Sequence, residues 1–335
     1  MPQRPSALFA LNDRNLPLLF PPATLARLTE LVDIDPALTV TDFGDPALGE
    51  RLAGTEFLIT GWGCPIVTPT VLDGLPRLRG VLHTAGTVKA LLDPEVWRRG
   101  VAVSTAAAAN ALPVAEYTLG VILLLGKDVL GLHDEYRAAR AFPPGLTHRD
   151  VGNVGRRVGI IGASRIGRRV IELLRPFDFE VLLHDPYVTA AEARALGVRA
   201  VDLDVLLASS TIVSVHAPAT PETRHLLDAA RLALLPDGAA LVNTARGSLV
   251  DTEALTKELV TGRIRAVLDV TEPEPLPAES PLFRLPNVLL TPHVAGSLGN
   301  ELSRLGRTAV DELERLLAGR PLAYGVQLAE LARTA

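Results

Sequence analysis

Three side chains with complementary chemistry each follow a predicted buried strand. Arg246 comes soon after one apolar run, Glu274 lies in the segment DVTEPEP, and His293 lies in the segment TPHVAG. Ligands of a parallel sheet bind at the carboxyl ends of its strands, so loops in these places belong to one functional edge. We therefore predict that the three side chains lie close together.

These side chains suit the reduction of a carbonyl group by a hydride donor. A forked, permanently charged guanidinium (Arg246) fits a substrate carboxylate. An imidazole (His293) can protonate the carbonyl oxygen near neutral pH, and a neighbouring carboxylate (Glu274) fixes its tautomer and favours its protonated form. Taken singly, each is more often a surface or structural residue, so the prediction depends on all three sharing one edge. No metal is predicted, because the remaining histidines lack ligand-like spacing.

A glycine turn provides a place for the hydride donor. The segment from Arg157 to Asp185 reads as strand, turn, helix and strand, with Gly162, Ser164 and Gly167 at the three positions of a G-x-G-x-x-G pattern. The helix N-terminus offers free N–H groups and a positive dipole end to a pyrophosphate. Serine adds a Cβ and a hydroxyl where the second glycine is usual. We predict a dinucleotide site, and the alternative is an ordinary strand–helix–strand unit.

The acid at the end of the second strand indicates which dinucleotide binds. Asp185 can accept hydrogen bonds from both ribose hydroxyls of an adenosine, and its charge repels a 2′-phosphate. The following Pro186 and Tyr187 supply no arginine to receive that phosphate. NAD is therefore the predicted cofactor, with NADH favoured over NADPH.

Strand-like and helix-like segments alternate along the chain, which predicts an α/β protein with parallel sheets. Strands are expected at 6–11, 38–41, 57–60, 79–83 and 101–104, and after the glycine turn at 200–201, 211–215, 240–242, 265–268 and 288–290. Long helices are expected at 110–125 and 297–317, with a loop at 142–155. The last helix is expected to return to the first domain, which would make that domain discontinuous.

The composition limits the class of function. The chain has 335 residues, 48% of them hydrophobic, and a net charge of −5, which fits a soluble globular protein and gives no basic surface for nucleic acid. Cys64 is the single cysteine, which excludes an internal disulfide and fits a cytoplasmic location. The most apolar segment, 117–125, is too short to span a bilayer, so no membrane partner is expected.

Several motifs in order resemble the NAD-dependent D-isomer-specific 2-hydroxyacid dehydrogenases, which include phosphoglycerate dehydrogenase and glyoxylate/hydroxypyruvate reductase. They are NALPVAEYTLG, VGIIGASRIG, LLHDPY, VSVHAPATPETRHLL, LVNTARGSLVD, LDVTEPEPL and TPHVAGS. The resemblance implies two doubly wound parallel-sheet domains: a Rossmann NAD-binding domain at 108–298, inserted in a smaller flavodoxin-like substrate domain at 1–107 and 299–335. It also implies a homodimer, with the helix after Asn110 and the loop that follows it in the interface.

The resemblance also implies roles for individual residues. Arg246, Glu274 and His293 are expected to be catalytic, and His216 to be a supporting residue near the adenine. Asp269 is expected to meet the nicotinamide carboxamide. The full set expected to contact NAD is Gly162, Ser164, Arg165, Ile166, Gly167, Asp185, Ala217, Thr244, Ala245, Asp269 and Gly296.

The loop expected to bind the substrate carboxylate departs from the family pattern. Family members often carry G-x-G-x-D there. In this chain Ala85, Gly86 and Thr87 fit its start, whereas Val88 and Ala90 replace the second glycine and the acid. These departures leave the substrate less defined than the cofactor.

A second departure concerns the side chain of the substrate. Phosphoglycerate dehydrogenases carry an arginine after the third strand of the small domain, where this chain has Trp62. Tryptophan offers apolar area and one N–H donor instead of charge. We therefore predict a non-phosphorylated 2-oxo acid with a neutral or apolar side chain, with Lys89 as an alternative source of charge.

Two functions remain open. The first is an enzyme that interconverts a small 2-oxo acid and a D-2-hydroxy acid with NAD(H). The second is a dehydrogenase-like regulatory protein that senses NAD(H). The complete set of Arg246, Glu274 and His293 favours the enzyme. Formate dehydrogenases share the fold but carry glutamine where this chain has Glu274, which argues against that activity.

Overall fold

A computed structural model of the protein describes residues 4–331, which form two compact units. The first contains the chain up to Asn110 and again from Ser297, and the second runs from Ala111 to Gly296. The strands are β1 (Ala7–Ala10), β2 (Phe57–Thr60), β3 (Gly80–His83), β4 (Ala102–Thr105), β5 (Arg157–Ile161), β6 (Glu180–His184), β7 (Arg199–Ala200), β8 (Ile212–Val215), β9 (Ala240–Asn243), β10 (Arg265–Leu268) and β11 (Val288–Leu290). The helices are α1 (Leu16–Leu19), α2 (Pro22–Leu31), α3 (Gly49–Gly54), α4 (Pro69–Asp73), α5 (Glu95–Arg98), α6 (Ala107–Gly126), α7 (Val129–Ala139), α8 (Arg165–Leu174), α9 (Ala190–Leu196), α10 (Leu203–Ser209), α11 (Ala229–Ala233), α12 (Thr252–Val260), α13 (Leu302–Leu317) and α14 (Leu328–Leu331).

The first unit is built on a parallel sheet in the order β1-β2-β3-β4. The predicted strand at 38–41 is wrong, because only Thr39 pairs, in a single bridge to Phe9 on the outer side of β1. The side chains of Asp35 and Asp42 form turns on both sides of this segment by accepting from the N–H groups of Ala37 and Gly44, and they keep it short. With that bridge as second strand, the order is the flavodoxin-like 2-1-3-4-5.

The helix α13 packs in the first unit, against α1 and α2. Its Gly306 lies so close to α1 that an added Cβ would be 1.9 Å from the carbonyl oxygen of Leu19, so only glycine fits. The helix begins at Leu302 and not at 297, because Gly299 has a φ of 52° and opens a short 3₁₀ turn. Apolar side chains of α13, including Leu305 and Val310, are fully buried.

The second unit contains a parallel sheet in the order β11-β10-β9-β8-β5-β6-β7. Counted from β5 as first strand, this is the doubly wound order 3-2-1-4-5-6-7. The chain reverses its direction of winding between β5 and β8, and both faces of the sheet carry apolar clusters. The glycine turn follows β5, so it lies at the position where such sheets bind ligands.

The helix α6 is longer than the sequence indicated. It runs for 20 residues, and its mean hydropathy of 1.6 makes it long and apolar enough to cross a membrane by length and composition alone. The segment 117–125, judged from the sequence to be too short to span a bilayer, is therefore only part of a longer apolar helix. Half of the apolar window is buried, and Ala115 and Ile122 belong to the core of the second unit, as expected for a core helix.

The helix α7 was not predicted from the sequence. It has no buried residue, so the apolar periodicity that reveals a core-facing helix is absent. The predicted loop at 142–155 contains only a short 3₁₀ turn, Leu146–His148.

Candidate active site

The turn after β5 accepts only glycine at two of its positions. Gly162 has a φ of 95°, and a Cβ there would lie 2.6 Å from the backbone nitrogen of Ala217. A Cβ on Gly167 would lie 2.0 Å from the carbonyl oxygen of Gly162. The turn therefore brings the backbone of β5, α8 and the residues after β8 into direct contact.

Ser164 is accommodated in this turn as the N-cap of α8. Its hydroxyl oxygen accepts from the backbone N–H of Gly167 at 3.3 Å. The N–H groups of Arg165 and Ile166 belong to the first turn of α8 and have no partner within the helix. They are the groups that a bound pyrophosphate would use, so this turn fits a dinucleotide.

Asp185 is joined to the glycine turn. One carboxylate oxygen accepts from the N–H of Ala163 at 2.7 Å, and the other accepts from the N–H of Tyr187 at 2.8 Å. Each oxygen has a second lone pair, so the fixed carboxylate retains acceptor capacity for ribose hydroxyls. This geometry suits the role predicted for Asp185.

His293 and Glu274 are in direct contact. The Nδ1 atom of His293 lies 2.8 Å from Oε1 of Glu274, and both side chains are about half exposed. A carboxylate accepts hydrogen bonds, so Nδ1 carries the proton and Nε2 is the ring atom left for a substrate. The backbone of His293 has a φ of 54°, which is uncommon for a residue with a side chain.

Arg246 follows β9 in a loop held by Asn243. The side-chain amide of Asn243 donates to the Arg246 carbonyl at 2.9 Å and accepts from the Ala245 N–H at 3.1 Å. Burial lowers the pKa of the guanidinium from its ordinary value, and the charge of Glu274 opposes that shift. Within residues 4–331, Arg246 forms no ion pair, and its Nη1 donates to the Ala245 carbonyl at 2.6 Å. A partly buried guanidinium without an ion pair is suited to an anionic ligand.

The loops that carry Arg246 and Glu274 touch through their backbones. An added Cβ on Gly247 would lie 2.0 Å from the carbonyl carbon of Thr271. The three predicted catalytic side chains thus follow adjacent strands β9, β10 and β11 and lie at one edge of the sheet.

Residues 119–295 match the NAD-binding domain of the D-isomer specific 2-hydroxyacid dehydrogenases. The chain belongs to this family. It is 36% identical to a glyoxylate reductase of Thermofilum pendens over 74% of this chain and 75% of that one. It is 34% identical to the D-3-phosphoglycerate dehydrogenase of Mycobacterium tuberculosis over 76% of this chain and 48% of that one, so it spans about half the length of the phosphoglycerate dehydrogenases that it matches. The crystal structure of D-mandelate dehydrogenase from Rhodotorula graminis superposes with a TM-score of 0.79 at 26% identity, covering 97% and 98% of the two chains.

The family match confirms the predicted fold class and NAD as the cofactor. The relatives are named as reductases and dehydrogenases, which does not favour the regulatory alternative. The roles predicted for individual residues and the exact domain boundaries stay predictions.

The other residues predicted to contact NAD in this family member all follow strands of the same sheet. Ala217 faces the glycine turn, and Thr244 is buried with its hydroxyl 3.2 Å from that of Thr118. Ala245 is buried beside Arg246, and Gly296 is the last residue of the second unit. Their contacts with NAD are left as predictions.

Asp269 has a structural environment that the sequence did not reveal. It is 2% exposed, and its carboxylate accepts hydrogen bonds from the Thr291 hydroxyl and from the N–H groups of Val294 and Ala295. The hydroxyl of Tyr117 lies 2.9 Å from that of Thr291. Thr291 could have been considered from the sequence, because it lies two residues before His293. Nothing in the sequence connects Tyr117 with the site.

His216 is fully enclosed beside the glycine turn. Burial lowers its pKa to about 3, so the ring is neutral near neutral pH. Its Nε2 lies 2.9 Å from the Ser214 hydroxyl, and its Nδ1 has no partner among the described residues. A neutral, buried ring agrees with a supporting position and not with proton transfer.

The residues predicted to bind substrate, apart from Arg246, belong to the first unit. Trp62 follows β2 and is 42% exposed, while Ala85, Gly86 and Thr87 follow β3. The Ala85 carbonyl accepts from the N–H of Ala106 at 3.1 Å, which holds the start of this loop.

Proposed function

We propose that the protein interconverts a small 2-oxo acid and a D-2-hydroxy acid with NAD(H). The observation that carries the proposal is the hydrogen bond between His293 and Glu274, at the same sheet edge as the Arg246 guanidinium, which forms no ion pair within residues 4–331. The bound cofactor supplies or accepts the hydride. The protein supplies the anion site and the proton.

Each of the three side chains has a separate role in the proposed reaction. Arg246 binds the substrate carboxylate through charge-assisted hydrogen bonds. Glu274 holds the proton of His293 on Nδ1, which aims Nε2–H at the substrate carbonyl oxygen. In the reductive direction that oxygen gains negative charge and takes the Nε2 proton, leaving a neutral ring. In the oxidative direction neutral Nε2 takes the proton from the hydroxyl.

The proposed cofactor preference is NADH over NADPH. Asp185 is held by the N–H groups of Ala163 and Tyr187, so its carboxylate cannot easily turn away from a ligand. A fixed negative charge beside the adenosine ribose disfavours a 2′-phosphate.

The proposed substrate is non-phosphorylated, with a neutral or apolar side chain. Trp62 is exposed after β2 and provides apolar area, and Ala85, Gly86 and Thr87 provide backbone N–H groups for the substrate carboxylate. Among the related proteins, a glyoxylate reductase and a D-mandelate dehydrogenase are named for acids without a phosphate.

The proposed assembly is a cytoplasmic homodimer. Several apolar side chains from the end of α6 to residue 154 are exposed, notably Leu124, Phe142 and Val154, the last two above 80%. Apolar exposure on this scale is typical of an interaction surface. Sedimentation analysis is expected to give twice the chain mass, and a monomer at micromolar concentration would contradict the assembly.

The function is tested by NADH oxidation with glyoxylate, hydroxypyruvate and longer or aromatic 2-oxo acids. Turnover is expected with at least one of them and formation of the D-hydroxy acid, with NADPH a poor substitute. Tight NADH binding without turnover of any 2-oxo acid would contradict the enzyme and support a sensor.

A further inference from the structure

A chain of hydroxyl groups leads from α6 to the loop that carries His293. The Thr291 hydroxyl donates to Oδ1 of Asp269 at 2.6 Å, and the Tyr117 hydroxyl lies 2.9 Å from the Thr291 oxygen. An ionised carboxylate can only accept, so Thr291 commits its single proton to Asp269. The Tyr117 hydroxyl must then be the donor to Thr291.

The direction of this chain is stable across the working pH range of an enzyme. Burial raises the pKa of the Tyr117 phenol, the hydrogen bond with Thr291 opposes that shift, and the charge of Asp269 adds to it, so that the net change is upward. The phenol therefore keeps the proton that it donates. Two hydrogen bonds in series polarise each other and strengthen the bond to the carboxylate.

Asp269 is the point at which this chain acts on the loop. Its carboxylate also accepts from the N–H groups of Val294 at 2.8 Å and Ala295 at 3.0 Å, and its carbonyl accepts from the N–H of His293 at 2.9 Å. The loop is thereby wrapped around one buried side chain. These bonds hold His293 at a φ of 54°, a conformation that costs free energy unless the surroundings impose it.

We propose that Tyr117 and Thr291 are positioning residues that hold the proton donor His293 in place through Asp269. This inference rests on the function proposed above, because it takes His293 to be the group that exchanges a proton with substrate. Neither residue needs to touch substrate or cofactor in this role.

The test is a double-mutant cycle on kcat with the variants Tyr117→Phe, Thr291→Val and the double variant, and with Thr291→Ser as the conservative replacement. Thr291→Val is expected to lower kcat by about ten- to a hundredfold and Tyr117→Phe by about three- to tenfold. The double variant is expected to match Thr291→Val, because Tyr117 acts only through Thr291. Thr291→Ser keeps the hydroxyl and is expected to restore most of kcat, with the Kd for NADH within about twofold throughout.

A second readout does not depend on turnover. Hydrogen exchange at the Val294 and Ala295 amides is expected to accelerate about tenfold in Thr291→Val. It is expected to be unchanged in Tyr324→Phe, which makes the same replacement as Tyr117→Phe at a tyrosine of the first unit. Losses that multiply in the double variant, a Thr291→Ser variant as poor as Thr291→Val, or unchanged exchange would overturn the inference. Absence of turnover in the unmodified protein would instead overturn the proposed function, and the exchange measurement would still decide whether the hydroxyl chain holds the loop.

Discussion

At the scale of single residues, the neighbours of each site side chain restrict which of its atoms can bind a ligand. The His293 ring has one nitrogen committed to Glu274, so only Nε2 can serve a substrate. Arg246 is partly buried and forms no ion pair with any carboxylate among residues 4–331, so its charge is left for an anionic ligand. Both conditions are properties of the surroundings and not of the residue types alone.

Replacement of Arg246 tests the anion site. Arg246→Lys retains the charge but loses the forked donor geometry, and Arg246→Ala loses both. We expect kcat/KM to fall by at least about thirtyfold for lysine and more for alanine, corresponding to roughly 2–3 kcal/mol for a charge-assisted hydrogen bond. Steady-state kinetics checks this, with exposed Arg284→Lys as the matched control. A lysine variant as active as the unmodified protein would remove the role assigned to the guanidinium.

Replacement of Asp185 tests cofactor preference. Asp185→Asn removes the charge and keeps one acceptor oxygen, whereas Asp185→Ala also breaks the contacts with the Ala163 and Tyr187 N–H groups. Both are expected to bind NADPH more tightly, and the alanine variant is expected to lose about tenfold in NADH affinity. Fluorescence titration with each nucleotide measures this. An unchanged ratio of the two Kd values would refute the electrostatic explanation.

At the scale of elements, the sequence predicted best where apolar runs are buried on both sides. The predicted bounds of the buried strands β8, β9 and β10 agree with the structure within one residue, because parallel strands in a covered sheet read as continuous apolar segments. The helix α7 was not predicted, because none of its residues is buried. The segment predicted as a strand at 38–41 forms only one bridge, from Thr39 to Phe9. The hydroxyl chain from Tyr117 was not predictable, because it joins residues 174 positions apart and has no local pattern.

The helix α8 depends for part of its stability on the N-cap residue Ser164. Ser164→Ala removes the cap and is expected to cost about 1 kcal/mol of the free energy of unfolding, whereas Ser164→Gly, which restores the usual family residue, should cost only a few tenths. Urea denaturation of the two variants measures the difference. Equal stabilities for alanine and serine would show that the hydroxyl does not cap the helix in solution.

At the scale of the whole molecule, each unit contains a buried histidine that titrates abnormally. Burial lowers the pKa of His83 to about 4 in the first unit and that of His216 to about 3 in the second. The unfolded chain has ordinary histidines with a pKa near 6.5, so below that pH it binds protons that the folded chain does not bind. Stability from these groups is complete above about pH 6.5 and falls as the pH drops towards the folded values.

This linkage predicts a loss of about 2 kcal/mol per histidine in the free energy of unfolding between pH 7 and pH 5. The window lies above the titration of ordinary carboxylates, so histidines dominate it. Urea unfolding at several pH values measures the slope, and His83→Gln is expected to flatten it by about half. A slope that does not change in this variant would show that the ring of His83 is protonated in the folded protein.

The variant His293→Asn separates proton exchange, which we assign to His293, from cofactor binding, which we assign to other residues. For His293→Asn, we expect NADH to bind with a Kd within about twofold of the unmodified protein, while turnover of the best 2-oxo acid falls by at least about a hundredfold. Turnover within a few-fold of the unmodified protein would show that His293 is not the residue that exchanges the proton with substrate.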